Sequence, residues 1–247
     1  MVPGCTTRED LRLTPSHGIR VVTFDADGTI WDFQTTMREA LAVSLQSLQT
    51  LYPEQAAALT VDELIVHREE AEAAFRGKSM TMEGLRFAAF MRTLDTIGAR
   101  DERHARDLTS SYLERRFASA RIFDDVLPAL DILQEHFRLG LLTNGNSYPD
   151  KLGLAERFEF VVVAQDHGVW KPDAEFYELA IQRAGVAPEE ILHIGDRLDN
   201  DVLPARRAGM NVVWLNRTGD EPPTGSQAVA TLFSLLELPA FLSLHSS

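Results

Sequence analysis

Asp25 and Asp27 lie two apart, and Gly28 and Thr29 follow them. The residues before them, Ile19 to Asp25, are β-branched and aromatic and read as a buried strand ending in an acidic, glycine-containing turn. Residues two apart on a strand share a face, so both carboxylates converge on one point. Such a pair suits a reaction in which one oxygen attacks phosphorus while the neighbouring acid gives a proton to the departing alkoxide. A surface acidic turn, or an Asp that caps a following helix, carries the same spacing.

A second group of acids lies in Gly195-Asp196-Arg197-Leu198-Asp199-Asn200-Asp201, after the apolar run Ile191 to Ile194. Hard oxygen ligands from separate strand ends, completed by water and a phosphate oxygen, are what Mg²⁺ takes into its octahedral shell. Asp196 and Asp201 are the candidates here, whereas Asp199 reads as a solvated acid at a helix N-terminus. Between the two acidic groups stand Thr143-Asn144-Gly145-Asn146, ending an apolar strand, and Lys171-Pro172, opening a helix. A hydroxyl and backbone N–H groups after a strand can hold phosphate oxygens, and a lysine can neutralise a transferring group. Turns of Thr, Asn and Gly are commonplace and most lysines are solvated. The weight therefore rests on the order: acid pair, hydroxyl turn, lysine, acid cluster, each placed by its own strand and helix.

The elements that must position these residues alternate. After Arg121 a helix is expected around Leu127 to His136, then strands at Leu139 to Thr143 and Phe160 to Val163. A helix from about Ala174 to Ala184, a strand at Ile191 to Gly195, a helix around Val202 to Ala208 and a strand at Asn211 to Leu215 complete the series. This is the pattern of right-handed βαβ units in an open, Rossmann-like parallel sheet covered on both faces, an α/β fold with ligands beyond the carboxyl ends of its strands. The stretch from Thr35 to about Phe117 differs, with Met37, Leu41, Leu45, Leu48 and Tyr52 recurring at helical spacing, as do Phe87, Phe90, Leu94 and Ile97. Thr60 and Glu63 have capping-box spacing, and Asp101 is placed to cap a helix over Glu102 to Arg116. The expected division is a loosely ordered tail over 1–18, a core over 19–32 and 119–247, and an all-helical insert over 33–118.

The net charge of −13 argues against a nucleic acid polymer or an anionic membrane surface as partner, because phosphate backbones call for clustered Lys and Arg. No run approaches the roughly 18 apolar residues a membrane span needs. Cys5 is the single cysteine, which excludes an intramolecular disulfide or a thiolate metal cluster and fits a cytoplasmic location. Gly77-Lys78-Ser79 imitates the end of a phosphate-binding loop, but Glu72 replaces the leading glycine and no strand precedes it. There is no G-x-S-x-G elbow, and the seven histidines lack H-x-x-x-H spacing.

In these four motifs, Asp25-Ala26-Asp27-Gly28-Thr29, Thr143-Asn144, Lys171, and Gly195-Asp196 with Asp201, the chain resembles the haloacid dehalogenase superfamily. The helical insert lies where the C1 cap of its subfamily I phosphatases does. The resemblance implies that Asp25 is the nucleophile that becomes an aspartyl-phosphate, and that Asp27 is the general acid that later activates water. It implies that Thr143 and the N–H groups near Asn144 hold phosphate, and that Lys171 steadies Asp25 and the phosphate. It also implies that Asp25, the Asp27 carbonyl, Asp196 and Asp201 gather Mg²⁺. Dehalogenases of the superfamily usually carry Tyr where Asp27 stands, so Asp27 favours phosphoryl chemistry.

The run Leu142 to Asn146, with His167-Gly168-Val169-Trp170-Lys171-Pro172, is similar to bacterial flavin mononucleotide and sugar-phosphate phosphatases. A small phosphate ester is the expected substrate, for a monomer or homodimer whose insert closes over it. A mutase of the β-phosphoglucomutase type, a 2-haloacid dehalogenase and a non-catalytic metabolite-binding module are the alternatives. Arg68, Arg76, Lys78 and Arg86 in the insert are read as exposed basic residues on helices.

Overall fold

The computed structural model describes residues 18–75, 80–221 and 230–244. Met1 to His17, with Cys5, lie outside the described residues, as do Arg76 and Gly77-Lys78-Ser79. In chain order the first elements are β1 (Val21–Asp25), α1 (Phe33–Leu51), α2 (Val61–Phe75), α3 (Met82–Thr96), α4 (Glu102–Ala118), α5 (Val126–Leu133) and β2 (Arg138–Thr143). There follow β3 (Phe160–Val163), α6 (Ala164–His167), α7 (Ala174–Ala184), β4 (Ile191–Gly195), α8 (Leu203–Arg207), β5 (Asn211–Leu215), β6 (Ala230–Leu232) and α9 (Leu238–Phe241). The chain divides into two compact units, Met1–Ile30 with Ile122–Ser247, and Trp31–Arg121. Among the described residues no helix is long and apolar enough to cross a membrane.

The unit Trp31–Arg121 is helical, and its helices start on side-chain caps. Asp32 accepts from the Thr35 amide at 3.1 Å and opens α1. Thr60 and Glu63 make a reciprocal box at the start of α2, with Thr60 N donating to Glu63 Oε2 at 2.8 Å and Glu63 N to Thr60 Oγ1 at 3.2 Å. Thr81 caps α3, and Asp101 accepts from the Arg103 and His104 amides to start α4. The apolar faces meet at Leu94, Phe90 and Tyr112, the two rings standing edge to face at 6.1 Å.

Arg86 corrects its reading as an exposed basic residue. It is 4% exposed, because Glu72 accepts its guanidinium at 2.9 Å and also pairs with Arg68 at 3.0 Å. Arg68 and Arg116 further lie over the Phe33 ring, at 5.5 and 5.6 Å from its centroid.

The other unit carries a six-stranded sheet, ordered β3-β2-β1-β4-β5-β6, whose five strand pairings are all parallel. β1 and β4 are buried along their whole length, as strands covered on both faces must be. The strand order reverses at β1 and β4, so the crevice beyond their carboxyl ends lies at the topological switch point. Asp25 is in register with Leu142 of β2, which brings the ends of β1 and β2 level.

Two features depart from expectation. The helix read as starting at Val202 is preceded by a π-turn over Leu198–Val202, in which the Asp201 and Val202 amides both donate to the Arg197 carbonyl. The short strand β6, three residues long, is the other, and no strand was expected there.

One polar cluster fastens this unit together. Asp125, just before α5, accepts from Arg217 Nη1 at 2.8 Å, Arg217 Nη2 at 3.0 Å, Ser234 Oγ at 2.8 Å and the Leu235 amide at 2.8 Å. Arg217 also donates to the Thr29 carbonyl at 2.8 Å and covers the Phe123 ring at 4.0 Å. These bonds join the turn after β1, the start of α5, the loop after β5 and the C-terminal segment. Asp125→Ala is therefore expected to cost about 2–4 kcal/mol of unfolding free energy by stranding a largely buried guanidinium and an amide. The urea midpoint measures it, and a change below about 0.5 kcal/mol would mean that the cluster is decorative.

Candidate active site

Asp25 ends β1, and Asp27 lies in the turn beyond it, where the Ala26 carbonyl accepts from the Thr29 amide at 3.3 Å and the Ile30 amide at 2.9 Å. Gly28 adopts φ +94°, and a Cβ there would stand 2.4 Å from Asp196 Oδ2. Only glycine both turns the chain and admits the carboxyl of Asp196, which lies just past β4.

Lys171 joins the two acidic groups. Its Nζ donates to Asp25 Oδ1 at 2.6 Å and to Asp201 Oδ1 at 2.7 Å, with the lysine side chain 2% exposed. Asn144 aims it: the Lys171 amide donates to Asn144 Oδ1 at 2.7 Å, and Asn144 Nδ2 donates back to the Lys171 carbonyl at 2.9 Å. The π-turn faces Asp201 inward, where the Arg197 amide donates to its Oδ2 at 3.2 Å. Tyr177 on α7 fixes that turn by donating to the Asn200 carbonyl.

The structure thus brings Asp25, Lys171, Asp196 and Asp201 together. Oxygens of the three acids all lie within 4.8 Å of one another. Asp199 stays in solvent, 71% exposed, paired with Arg197. The Asn144 side chain is spent on the backbone of Lys171, which leaves only its main chain for a ligand. The Thr143 hydroxyl, at the end of β2, accepts from the Gly145 amide at 3.0 Å, so its own proton points elsewhere. The Asp27 carboxylate accepts from Ser147 Oγ at 2.9 Å and stands apart from the three-acid group. Sequence reasoning missed Ser147 and Tyr177, because a serine in a turn and an aromatic on a helix face are both commonplace; adjacency to Thr143-Asn144 was the one available signal for Ser147.

The electrostatics follow from three carboxyl groups gathered about one ammonium, with Asp27 a weaker influence on Asp25. Burial, then the neighbouring acids Asp201, Asp196 and Asp27 acting against Lys171, push Asp25 well above the carboxylate range. Burial and then Asp201 raise Asp196 to about 7. Burial alone would discharge Lys171, but Asp201 and Asp25 outweigh it and hold the ammonium charged.

Oδ1 of Asp196 is buried and lacks a hydrogen-bond partner. An orphaned carboxylate oxygen beside two more in one cluster is a donor set that fits a hard divalent cation.

A pH effect follows. Between its ordinary 3.8 and about 7, Asp196 holds a proton in the folded chain that the unfolded chain has lost. Its contribution to stability is present in acid and fades as pH rises through 7. In EDTA the urea midpoint should fall between pH 5.5 and 8, and fall less in Asp196→Asn. Equal slopes for the two proteins would refute the shift.

Residues 19–209 match the family described as "Hydrolase: haloacid dehalogenase-like hydrolase". The 5-amino-6-(5-phospho-D-ribitylamino)uracil phosphatase YigB of Escherichia coli is 28% identical over 93% of this chain and 98% of its own. The glyceraldehyde 3-phosphate phosphatase of Methanopyrus kandleri is 38% identical over 43% of this chain, and there the match spans about half of the relative, 48%. Among solved structures, a 2-haloacid dehalogenase from Pseudomonas syringae superposes with a TM-score of 0.72 at 29% identity, over 91% of this chain and 98% of that one. With the family match covering most of the sequence, the chain belongs to the haloacid dehalogenase-like hydrolases.

Proposed function

We infer that this chain is a phosphoric monoester hydrolase that acts on a small phosphorylated metabolite through Asp25. The observation that carries the reading is the second carboxyl, Asp27, held by Ser147 beside a buried nucleophile already paired with Lys171. A dehalogenase has no leaving alkoxide to protonate, whereas a phosphate ester does. Relatives named as phosphatases of glyceraldehyde 3-phosphate and of a phosphoribitylamino-uracil support a small phosphorylated metabolite as substrate, for which we propose a sugar phosphate or a flavin or nucleoside monophosphate.

In this reading the Thr143 hydroxyl and the backbone N–H groups near Asn144 hold the phosphate oxygens. Lys171 offsets their charge and restrains one oxygen of Asp25. Asp25 attacks phosphorus; as the P–O bond to the substrate breaks, Asp27 gives its proton to the leaving oxygen, and an aspartyl-phosphate forms. Asp27, now a carboxylate, takes a proton from water as that water attacks the same phosphorus. Inorganic phosphate departs and Asp25 is regenerated.

The hard oxygen set of Asp25, Asp196 and Asp201 suits Mg²⁺, and the Asp27 carbonyl is proposed to join it. Once bound, the ion supplies Lewis-acid charge stabilisation to the transferring group.

The division into core (19–32 and 119–247) and substrate-selecting cap (33–118) belongs to this proposal and is supported by the two compact units. So do a cytoplasmic location, supported by the single cysteine, and a working monomer or homodimer.

The test is phosphate release from a panel of sugar phosphates and flavin mononucleotide, with Mg²⁺, with EDTA and with Asp25→Asn. Release from at least one ester is expected, falling to background in EDTA and by roughly a thousandfold or more in Asp25→Asn. A panel without phosphate release, joined by halide release from 2-chloropropionate, would replace the phosphatase reading with a dehalogenase.

A further inference from the structure

We propose that Ser147 is a positioning residue, holding Asp27 in one orientation through both of its proton transfers; this rests on the phosphatase reading. Ser147 is 5% exposed, and its hydroxyl meets Asp27 Oδ1 at 2.9 Å across 120 residues of sequence. The other carboxylate oxygen lies against Gly145, where a Cβ would stand 2.8 Å from Asp27 Oδ2 and 3.2 Å from Ser147 Oγ. The loop after β2 therefore wraps both oxygens of the acid, one with a hydroxyl and one with a bare Cα.

That loop is itself tied at several points. Gly145 N donates to Thr143 Oγ1 at 3.0 Å, and Asn144 is clamped to the backbone of Lys171. Tyr148, next to Ser147, donates to Asp166 at 2.8 Å and accepts from Gln165 Nε2 at 3.0 Å. Ser147 is thus presented from a framed loop and not from a swinging one.

The choice of a hydroxyl has a chemical reason. Asp27 must be a carboxylic acid when the alkoxide leaves and a carboxylate when water arrives. A backbone amide or an ammonium donates only, and so favours the charged form alone. A serine hydroxyl donates to the carboxylate and, after rotating, accepts from the acid. Ser147 can keep the same contact in both halves of the reaction, so that Asp27 need not reorient between them.

The test uses Ser147→Ala and Ser147→Thr in the full chain with Mg²⁺, reading the first turnover and the steady state on two esters. One is p-nitrophenyl phosphate, whose phenolate leaves without a proton; the other is an alkyl phosphate that the wild type turns over. In Ser147→Ala the first turnover of the alkyl ester should fall at least about tenfold more than that of the nitrophenyl ester. Steady-state turnover of the nitrophenyl ester should also drop, leaving a burst of nitrophenolate, because water activation still needs an ordered Asp27. Ser147→Thr, which keeps the hydroxyl, should restore the ratio of the two esters to within about threefold of wild type.

Equal slowing of both first turnovers would make Ser147 a loop-packing residue and overturn the proposal, as would no slowing at all. If Ser147→Ala does not fold, Ser147→Cys keeps the volume with a weaker donor, and the same split between esters is required of it. A wild type that releases neither nitrophenolate nor phosphate would instead fail the phosphatase reading itself.

Discussion

One ammonium group shared by two buried carboxylates, Lys171 between Asp25 and Asp201, is the contact on which the site depends. Three carboxyl groups converge at the switch point of the sheet, and such a convergence is unfavourable unless something positive is held among them. Lys171 meets that need in part. Burial first, and then the neighbouring acids, still hold Asp25 and Asp196 above their ordinary values. A divalent cation would complete the neutralisation, so metal affinity and local strain in this site are two aspects of the same charge imbalance.

Much of the surrounding structure serves to keep those charges where they are. β1 and β4 are buried throughout and adjacent in the sheet, which sets Asp25 and Asp196 side by side. The π-turn faces Asp201 inward, with Tyr177 and the Arg197 amide holding it. Asn144 reaches across to the backbone of Lys171, so two loops 27 residues apart in sequence are tied together. Gly28 and Gly145 give way to carboxylates at points where any side chain would intrude. On the proposed mechanism, the fixed groups do the electrostatic work and Asp27 alone changes protonation during the reaction.

The fold class was legible because the central strands are short, continuous apolar runs ending in chemistry-bearing turns. β3, β4, β5 and α7 lie where their apolar patterns put them, since burial on both sheet faces leaves little else a strand of that composition can do. Irregular features were not legible. β6 is a three-residue strand, and the π-turn is one extra residue in what reads as a plain helix start. Arg86 has the composition of a surface residue, and Glu72, fourteen positions away, makes its burial tolerable.

The sequence by itself determined which residue types stand at the strand ends, because a motif such as Asp25-Ala26-Asp27-Gly28-Thr29 records local geometry and chemistry together. It determined the alternation of strand and helix for the same local reason. Only the tertiary structure decided which side chains meet: that Asn144 serves Lys171, that Ser147 serves Asp27, and that Asp196 is left with an unpartnered oxygen. Hydrogen bonds and ion pairs across 27, 120 or 146 residues depend on strand order and loop path, which local pattern does not encode.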